Sequence, residues 1–445
     1  MPGYAVGAVG HHPAQVTPVR VRGGAAAPPG HRTPSSDEEC TMTLRESVRR
    51  RLPVLAVVLA SVAATAVGGA PAARAAGPAE LRLVPPGADY RAGLQRQVDY
   101  WNMNRLSAAA LNGDGSEAAA PAAGWDDTAR PWAGGGKITR TVGKLVMRMR
   151  NADGASATDG LAACTATVVK SRNKSVVVTA AHCLRVNWGL NAPLDLNQIA
   201  TNALFIPGFR GENLPRVAPG TDLDQGPAIG PDVAPHGVWA VTRAWWTEGW
   251  AAQANHLNNN DMAAMVVDSP VDDRPVEEVV GGGQPIGFHQ ARKTPRTNFG
   301  YPVANVKSHS GPNFSGTGAA VIDGAPNANG VPAAQQRIYD GRSLLFSQGP
   351  SWINREWWWE TNSDLMKTQF SPGSSGGPWF KDFDPSTGEG VLAGVTSHFA
   401  QSAGGGLDLV AEAESRAPSP YMAGTHFGDQ EEAAFEAAQS VTPGA

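Results

Sequence analysis

The sequence predicts an all-β protein, and three observations support that expectation. Short runs of β-branched and apolar residues recur from residue 137 onward, each bounded by Gly, Pro or polar turns. The 445 residues include 52 glycines and 35 prolines, which indicates many turns. Hydrophobic residues make up 42% of the chain and charged residues 17%, so a sizeable core can be buried. These features favour a barrel or a sandwich of short strands over a helical bundle.

The expected strands follow one another along the chain. Residues 142–147 form the first run, and residues 165–169 and 175–179 have the pattern of a β-hairpin around a polar turn. The clearest helix covers residues 429–439, where Asp429 and Glu432 have the spacing of a capping box. The other strand-like runs are residues 204–206, 238–241, 262–267, 344–346 and 391–395.

Residues 42–75 have the pattern of an export signal. Four arginines precede an apolar run at 52–70, and Ala73-Arg74-Ala75 offers a small-residue cleavage site. A membrane anchor is the alternative, but Pro53 and a pair of glycines interrupt a run that is already short. The pattern therefore predicts a secreted protein without a stable membrane anchor.

Two other N-terminal segments show little regular patterning. Residues 1–41 are rich in Pro, Gly and Ala, and we interpret them as an upstream extension or a misassigned start, with Met42 as the true start. Residues 76–136 contain alanine-rich stretches, and we interpret them as a propeptide or an N-terminal arm. The main domain is then expected over residues 137–445.

The cysteines agree with export. Of the three in the chain, Cys40 precedes the expected cleavage site, so an exported protein would retain Cys164 and Cys183. An even pair in an oxidising compartment predicts one disulfide between them. Two free buried thiols are the alternative.

The overall charge limits the expected partners. The formal net charge is -4, which gives no reason to expect nucleic acid or an anionic membrane surface as a partner. We expect a monomer with no nucleic-acid partner.

A first candidate for chemistry is the string Thr179-Ala180-Ala181-His182-Cys183, which ends an apolar run. A histidine that serves as a general base must be held rigidly, because a small displacement of the base costs much of the rate. The preceding strand and the cysteine would supply that rigidity. A buried structural histidine is the alternative for this residue.

The second candidate is Gly373-Ser374-Ser375-Gly376-Gly377-Pro378. A serine hydroxyl is a poor nucleophile unless a base lies within hydrogen-bond reach and an acid orients that base. Glycines on both sides allow backbone conformations in which amide N–H groups point at a developing oxyanion. A flexible Gly/Ser linker is the alternative, but the apolar Trp379 and Phe380 that follow read as the start of a packed strand.

The acid is expected to be Asp261, which directly precedes an apolar strand and would be carried inward to hold the His182 imidazole. Other carboxylates remain in competition, each by default a solvated loop residue. They are Asp222, Asp224, Asp232 and Asp268.

With these strings in this order, the stretch from about residue 137 to 427 resembles the bacterial secreted trypsin-like serine peptidases of the chymotrypsin superfamily. It is most similar to their glutamyl-endopeptidase-like branch. Supporting strings are residues 205–209, 235–239, 299–302 and 394–397.

The resemblance implies two perpendicular six-stranded antiparallel β-barrels, over about residues 137–275 and 276–427, followed by the C-terminal helix. Residues 211–234 would be a loop insertion in the first barrel. His182, Asp261 and Ser375 would form the catalytic triad, with the N–H groups of Gly373 and Ser375 as the oxyanion hole. The implied partner is a protein or peptide substrate, and no cofactor or metal is implied.

The chain departs from this family at two places. Ser374 stands where many relatives carry an aspartate that pairs with a newly freed N-terminal amine, so we expect activation by removal of a blocking segment within residues 76–136. A second cysteine pair around the serine loop is also missing. Packing by tryptophans at 352 and 357–359 is expected to hold the loop instead.

The substrate pocket is expected to involve Gln369, Ser397 and His398. Gln369 occupies the position at which trypsin-like relatives keep a carboxylate, so a strong preference for Arg or Lys is not expected. A histidine at 398 would favour an acidic side chain, and a surface histidine is the alternative.

Two other functions compete with a peptidase. Residues 373–377 also match the G-x-S-x-G motif of α/β-hydrolase esterases, with Asp408 and His426 as formal partners, but the alternating β/α pattern of that fold is missing. A catalytically weak or silent binding protein on a peptidase fold is the other alternative, and its signature would be a broken triad.

Overall fold

The structure is a computed structural model. It describes residues 77–110, 129–152, 160–187, 197–215, 217, 220–253, 260–303, 340–356, 359–368, 370, 372–400 and 421–444. The expected export signal, Cys40 and the segment before residue 77 therefore lie outside the described residues. None of the helices in the described part of the chain is long and apolar enough to cross a membrane.

The first sheet closes into a six-stranded antiparallel barrel. Its strands run in the order β3, β4, β5, β9, β8 and β7, and β7 pairs back with β3 while also pairing with β8. Two further strands, β1 and β6, extend the sheet at β8 and β7. The bounds are β1 Ala79–Arg82, β3 Val142–Asn151, β4 Gly160–Val168, β5 Val176–Thr179, β6 Arg185–Asn187, β7 Asn197–Pro207, β8 Trp239–Trp246 and β9 Ala263–Asp268.

The second sheet is an open, antiparallel, eight-stranded sheet. Its order is β12, β13, β16, β15, β14, β10, β11 and β2, and no pairing among the described residues joins its two ends. The sequence predicted a two-barrel fold, which is confirmed, and the second barrel takes the form of a curled sheet, a half-barrel. The bounds are β2 Arg130–Pro131, β10 Arg296–Gly300, β11 Leu345–Gly349, β12 Ser351–Glu356, β13 Trp359–Lys367, β14 Pro378–Asp384, β15 Glu389–Ala400 and β16 Tyr421–His426.

The prediction of an all-β fold is confirmed, and each strand-like run in the sequence overlaps an observed strand. β5 illustrates the physical reason, because its three valines are fully buried between β4 and β9. β-Branched side chains pack well on a pleated surface that is covered on both sides. The barrel interior and the contact between the two sheets form one large hydrophobic cluster.

The helices are few and mostly short. The last of them, α6, covers Asp429–Gln439 as the sequence predicted, and it packs its buried Ala434, Phe435 and Ala438 against the first barrel. Its cap is displaced by one residue from the predicted box, because Glu431 rather than Glu432 accepts the N–H of Gly428 at 2.9 Å. The other helices are α1 Tyr90–Asp99, α2 Met103–Ala110, α3 Ile138–Thr141, α4 Glu248–Gln253 and α5 Val276–Val279.

The described parts of the segment before residue 137 are built into both sheets. β1 pairs with the edge of β8, and β2 pairs with β11. Between them, α1 and α2 bury Leu94 and Leu106 completely, and Trp101 donates its indole N–H to Asn202 Oδ1 at 2.8 Å. This segment therefore packs as an arm on the first barrel and also contributes a strand to the second sheet.

Candidate active site

The centre of the candidate site is a buried histidine and aspartate pair. His182 lies in a short 3₁₀ turn that begins two residues after the last residue of β5, and Asp261 lies two residues before the start of β9, the strand that pairs with β5. The His182 Nδ1 and Asp261 Oδ2 atoms are 2.7 Å apart, and the side chains are only 4% and 0% exposed. Two neighbouring strands of one barrel thus bring together residues that are 79 positions apart in the sequence.

Three donors converge on the Asp261 carboxylate. The backbone N–H of His182 donates to Oδ1 at 2.8 Å, while His182 Nδ1 and the hydroxyl of Ser397 both reach Oδ2, the latter at 2.6 Å. An ionised carboxylate accepts such bonds strongly, and they fix both its position and its orientation. With Nδ1 donating to this carboxylate, the lone pair of a neutral His182 lies on Nε2.

The turn that carries Ser375 packs directly against the turn that carries His182. Gly376 has φ +75°, and a β-carbon added there would lie 2.7 Å from Ala180 N and would also clash with the Thr179 hydroxyl. Glycine is therefore required at this point of contact. The serine itself is buried, with 5% exposure.

Four consecutive peptide units of the serine turn are fixed through their carbonyl oxygens. Pro372 O accepts the Val303 N–H at 2.7 Å, and Ser374 O accepts the Gly377 N–H at 2.8 Å. Gly373 O accepts the Thr165 hydroxyl, and Ser375 O accepts the Thr165 N–H, each at 2.8 Å. Every peptide unit between Pro372 and Gly376 is therefore held by a hydrogen bond to its carbonyl oxygen.

This fixation determines where two amide hydrogens point. In a trans peptide the N–H and the C=O are directed to opposite sides. Because the carbonyls of Pro372 and Ser374 are bonded within the protein, the N–H groups of Gly373 and Ser375 face away from those bonds. Gly373 has φ +91°, a conformation that only glycine adopts readily, and a β-carbon there would meet Tyr301 O at 2.7 Å.

The disulfide lies beside both turns. Cys164 in β4 and Cys183, the neighbour of His182, are joined with a Cα–Cα distance of 6.3 Å. Thr165, the neighbour of Cys164, makes the two contacts with the serine turn described above. The single bridge therefore connects the strand that contacts Ser375 with the turn that contains His182.

The three expected pocket residues have different surroundings. Ser397 directs its hydroxyl at Asp261, so its side chain serves the buried pair. The half-buried His398 has its Nδ1 at 3.2 Å from the Ser397 hydroxyl oxygen. Gln369 lies outside the described residues, as do Trp357 and Trp358, whereas Trp352 packs against the small cluster of Leu365 and Ala423.

The competing carboxylates make other contacts. Asp224 pairs with Arg105 on the surface, and Asp222 accepts the N–H of Asp224. Asp232 is exposed and its backbone oxygen accepts from Asn213. Asp268, at the far end of β9, accepts the hydroxyl of Tyr90 at 2.9 Å, and burial raises the pKa of its carboxyl above the ordinary value.

Sequence reasoning missed several neighbours of the site. Trp250 in α4 is buried with its ring centroid 6.4 Å from that of His182, and Thr425 in β16 donates to the backbone oxygen of Asp261 at 3.2 Å. The side-chain amide of the half-buried Asn362 also donates both to the carboxyl of Glu431 and to Asn260, the residue before Asp261. No local pattern marks these residues, because each reaches the site from a different sheet or helix.

Two groups of metal-ligating side chains occur in the described part of the chain. One consists of His182 with the two disulfide-bonded cysteines, whose sulfur atoms are already engaged. The other is the exposed group of His289, Asp429 and Glu432 at the start of α6. There the imidazole lies 3.2 Å from Asp429 and 3.4 Å from Glu432, which is the geometry of surface ion pairs.

Comparison with known proteins gives similar solved structures but no family assignment. No family model and no curated protein matches this sequence. Protease Anisep from Arthrobacter nicotinovorans is similar at 20% identity and a TM-score of 0.41, over 68% of this chain and 96% of that one. A thermostable serine protease, AL20, from an extremophilic microorganism is similar at 20% identity and a TM-score of 0.43, over 68% and 100%.

A Glu endopeptidase in complex with MPD is similar at 13% identity and a TM-score of 0.41, over 71% of this chain and 98% of that one. By name these neighbours are a protease, a serine protease and an endopeptidase, and a likeness at this identity and TM-score carries no conclusion about the function of this chain. The function proposed below therefore depends on the side chains of this chain.

Proposed function

We propose that this protein is a secreted, monomeric serine endopeptidase that hydrolyses peptide bonds through an acyl-enzyme. The observation that carries the proposal is the buried 2.7 Å contact between His182 Nδ1 and Asp261, made beside a serine turn whose peptide units are fixed. Ser375 would be the nucleophile, His182 the general base and Asp261 its orienting acid. The N–H groups of Gly373 and Ser375 would stabilise the oxyanion.

The first half-reaction forms an ester bond and breaks a peptide bond. Ser375 Oγ attacks the substrate carbonyl carbon while its proton moves to His182 Nε2, and the carbonyl oxygen becomes an oxyanion. Asp261 stabilises the imidazolium that forms. When the tetrahedral species collapses, the same proton passes to the leaving amine, and the acyl group stays on Ser375.

In the second half-reaction water takes the place of the serine hydroxyl. His182 removes a proton from the water as its oxygen attacks the ester carbon, and the proton is returned to Ser375 Oγ when the acid product leaves. The catalyst is thereby restored without an external reductant, oxidant or cofactor. Preorganised donors at the oxyanion supply a large share of the rate acceleration in chemistry of this kind.

Within this class we place the chain in the glutamyl-endopeptidase-like branch, on the sequence strings given above and on His398. The half-buried imidazole follows Ser397 directly in β15, beside the catalytic carboxylate. An acidic side chain would be attracted to a protonated imidazole there. Profiling a peptide library should show Glu or Asp before the cleaved bond, and a dominant preference for Arg or Lys would contradict this placement.

The central test uses a fluorophosphonate probe and a labelled casein substrate. Wild type should be labelled on Ser375 and should cleave casein, whereas Ser375→Ala and His182→Ala should lose on the order of 10^6 in turnover. His289→Ala, which removes an exposed histidine outside the site, is the matched control and should keep wild-type activity. Labelling of His182→Ala at the wild-type rate would contradict the assignment of the base.

The alternatives predict different results. A silent binding protein would give neither labelling nor cleavage in wild type. An esterase of the α/β-hydrolase class requires a sheet of alternating strands and helices, and the strands described here pair antiparallel in both sheets. Its formal histidine, His426, lies 3.6 Å from Asp364, and its formal acid, Asp408, lies outside the described residues.

A further inference from the structure

Thr165 is fully buried in β4 and makes four hydrogen bonds that link three distant parts of the chain. Its N–H donates to Ser375 O and its hydroxyl to Gly373 O, each at 2.8 Å. The same hydroxyl oxygen accepts the N–H of Tyr301 at 3.1 Å, and its backbone oxygen accepts the hydroxyl of Thr179 at 2.9 Å. The Thr165 hydroxyl thus donates one hydrogen bond and accepts another, so its single donor is satisfied.

The position of these bonds in the serine turn gives them a specific consequence. Of the four fixed peptide units between Pro372 and Gly376, Thr165 holds the second and the fourth. The unit held by its hydroxyl, between Gly373 and Ser374, lies between the two amides that would face the oxyanion. Rotation of that unit would turn both neighbouring N–H groups, because consecutive peptide units share the φ and ψ angles of one residue.

Two features that would otherwise fix this turn are missing from the chain. Ser374 has no carboxylate with which to form a buried ion pair, and no cysteine is present in the loop residues 369–375. A buried hydroxyl that donates to Gly373 O needs neither. Removing it would leave that carbonyl oxygen without its donor in a dry environment, which favours rotation of the peptide unit toward another partner.

We propose that Thr165 is a positioning residue whose hydroxyl holds the turn from Gly373 to Ser375 in the conformation that stabilises the oxyanion. This inference rests on the proposed peptidase function and adds to it the residue that keeps the oxyanion site formed. Thr165 touches neither the substrate nor the reacting atoms, and it acts through the carbonyl oxygens of Gly373 and Ser375.

Thr165→Val is the decisive variant, because valine keeps the shape of threonine and removes the hydroxyl. Thr167→Val is its matched control. Thr167 lies two residues further along β4, is equally buried, and has a hydroxyl without a hydrogen-bond partner among the described residues. Thr165→Ser, which restores the hydroxyl, serves as the rescue variant.

The readout is the reaction with a small fluorophosphonate, separated into kinact and KI, together with kcat and KM on a casein-derived peptide. We expect Thr165→Val to lower kinact and kcat by about 10- to 100-fold, somewhat less than the loss of an oxyanion donor itself, with KI and KM within about threefold of wild type. Thr165→Ser should recover most of the rate, and Thr167→Val should stay close to wild type. A merely structural role would lower the amount of folded protein and not kinact for each titrated site.

Three results would overturn the inference. Equal kinact in Thr165→Val and Thr167→Val would show that the Thr165 hydroxyl does not position the turn. If wild type is active in the same experiment, that result would refute only the role of Thr165 and not the proposed peptidase function. A wild type without labelling or turnover would contradict the peptidase function and this role with it. Should Thr165→Val not fold, Thr165→Ala leaves room at the Gly373 carbonyl and has the same expected loss of kinact, so that wild-type kinact in this variant would also refute the role.

Discussion

At the scale of single residues, three hydrogen-bond donors hold the carboxylate of Asp261. Its two oxygens accept from the His182 backbone, the His182 ring and the Ser397 hydroxyl, all at 2.6–2.8 Å. Because the carboxylate is fully buried, each of these bonds is stronger than it would be in water, and the loss of the charge would leave donors without a partner.

The first residue-scale prediction replaces this carboxylate. Asp261→Asn should lower kcat on casein on the order of 10^4-fold, because an amide no longer selects the His182 tautomer with the lone pair on Nε2. Asp268→Asn is the matched control at the other end of β9, where the carboxylate contacts Tyr90 instead. Steady-state kinetics of both purified variants would check this, and comparable losses in the two would refute the assignment.

At the scale of elements, the first turn of α6 connects the C-terminal helix to the site. Glu431 is 1% exposed and accepts from Gly428 N at 2.9 Å and from Asn362 at 3.1 Å, and Asn362 donates in turn to Asn260 at 2.7 Å. Burial raises the pKa of the Glu431 carboxyl to about 7, since desolvation outweighs these hydrogen bonds. The helix cap thus contains an acid that is protonated in the folded state at mildly acidic pH.

The pH dependence of stability follows from this shift. Between the unfolded pKa of 4.5 and about 7, the folded state holds a proton that the unfolded state releases, so the free energy of unfolding falls as the pH rises through that interval. Glu431→Gln removes this contribution. Between pH 4.5 and pH 8, the free energy of unfolding of this variant should therefore rise by about 3 kcal/mol relative to that of wild type.

Denaturant unfolding at several pH values would measure this effect. Glu432→Gln, on the exposed side of the same helical turn, is the matched control and should follow the wild-type curve. Parallel curves for wild type and Glu431→Gln would show that the Glu431 carboxyl does not titrate in this interval.

At the scale of the whole molecule, the arm of residues 77–136 is the main departure from a two-barrel domain that begins at residue 137. Its β1 and β2 pair with different sheets, and its helices bury Leu94 and Leu106 against the first barrel. A segment removed during maturation would take all of these contacts with it.

We therefore expect a chain that begins at Lys137 to be less stable than one that begins at Gly77, by several kcal/mol on the scale of about 1.5–3 kcal/mol for each fully buried large apolar side chain. Thermal unfolding and casein cleavage of the two purified chains would compare them. Equal melting temperatures would instead support the interpretation of residues 76–136 as a propeptide, with several N-termini near residue 137 serving equally well.

Much of the fold could be predicted because its signals are local. The valines of β5 and the apolar run of β9 identify strands by composition, and the alanine-rich pattern of α6 identifies a helix. The second sheet was harder to predict. β13, for example, reads Trp-Glu-Thr-Asn-Ser-Asp-Leu-Met-Lys, and its Thr361, Ser363 and Asp364 are buried although they are polar. Asn354 of β12 donates to Ser363, and no hydrophobic periodicity predicts such a contact.

The sequence by itself determined the all-β class, the pairing of Cys164 with Cys183 and the candidate residues His182, Asp261 and Ser375, because short motifs and strand composition are local properties of the chain. Only the tertiary structure decided that Ser397 binds Asp261 and that the arm joins both sheets. It also decided that the hydroxyl of Thr165 meets Gly373, 208 residues away. Such contacts arise when strands that are distant in sequence become neighbours in a sheet, and the local pattern around either residue contains no information about the other.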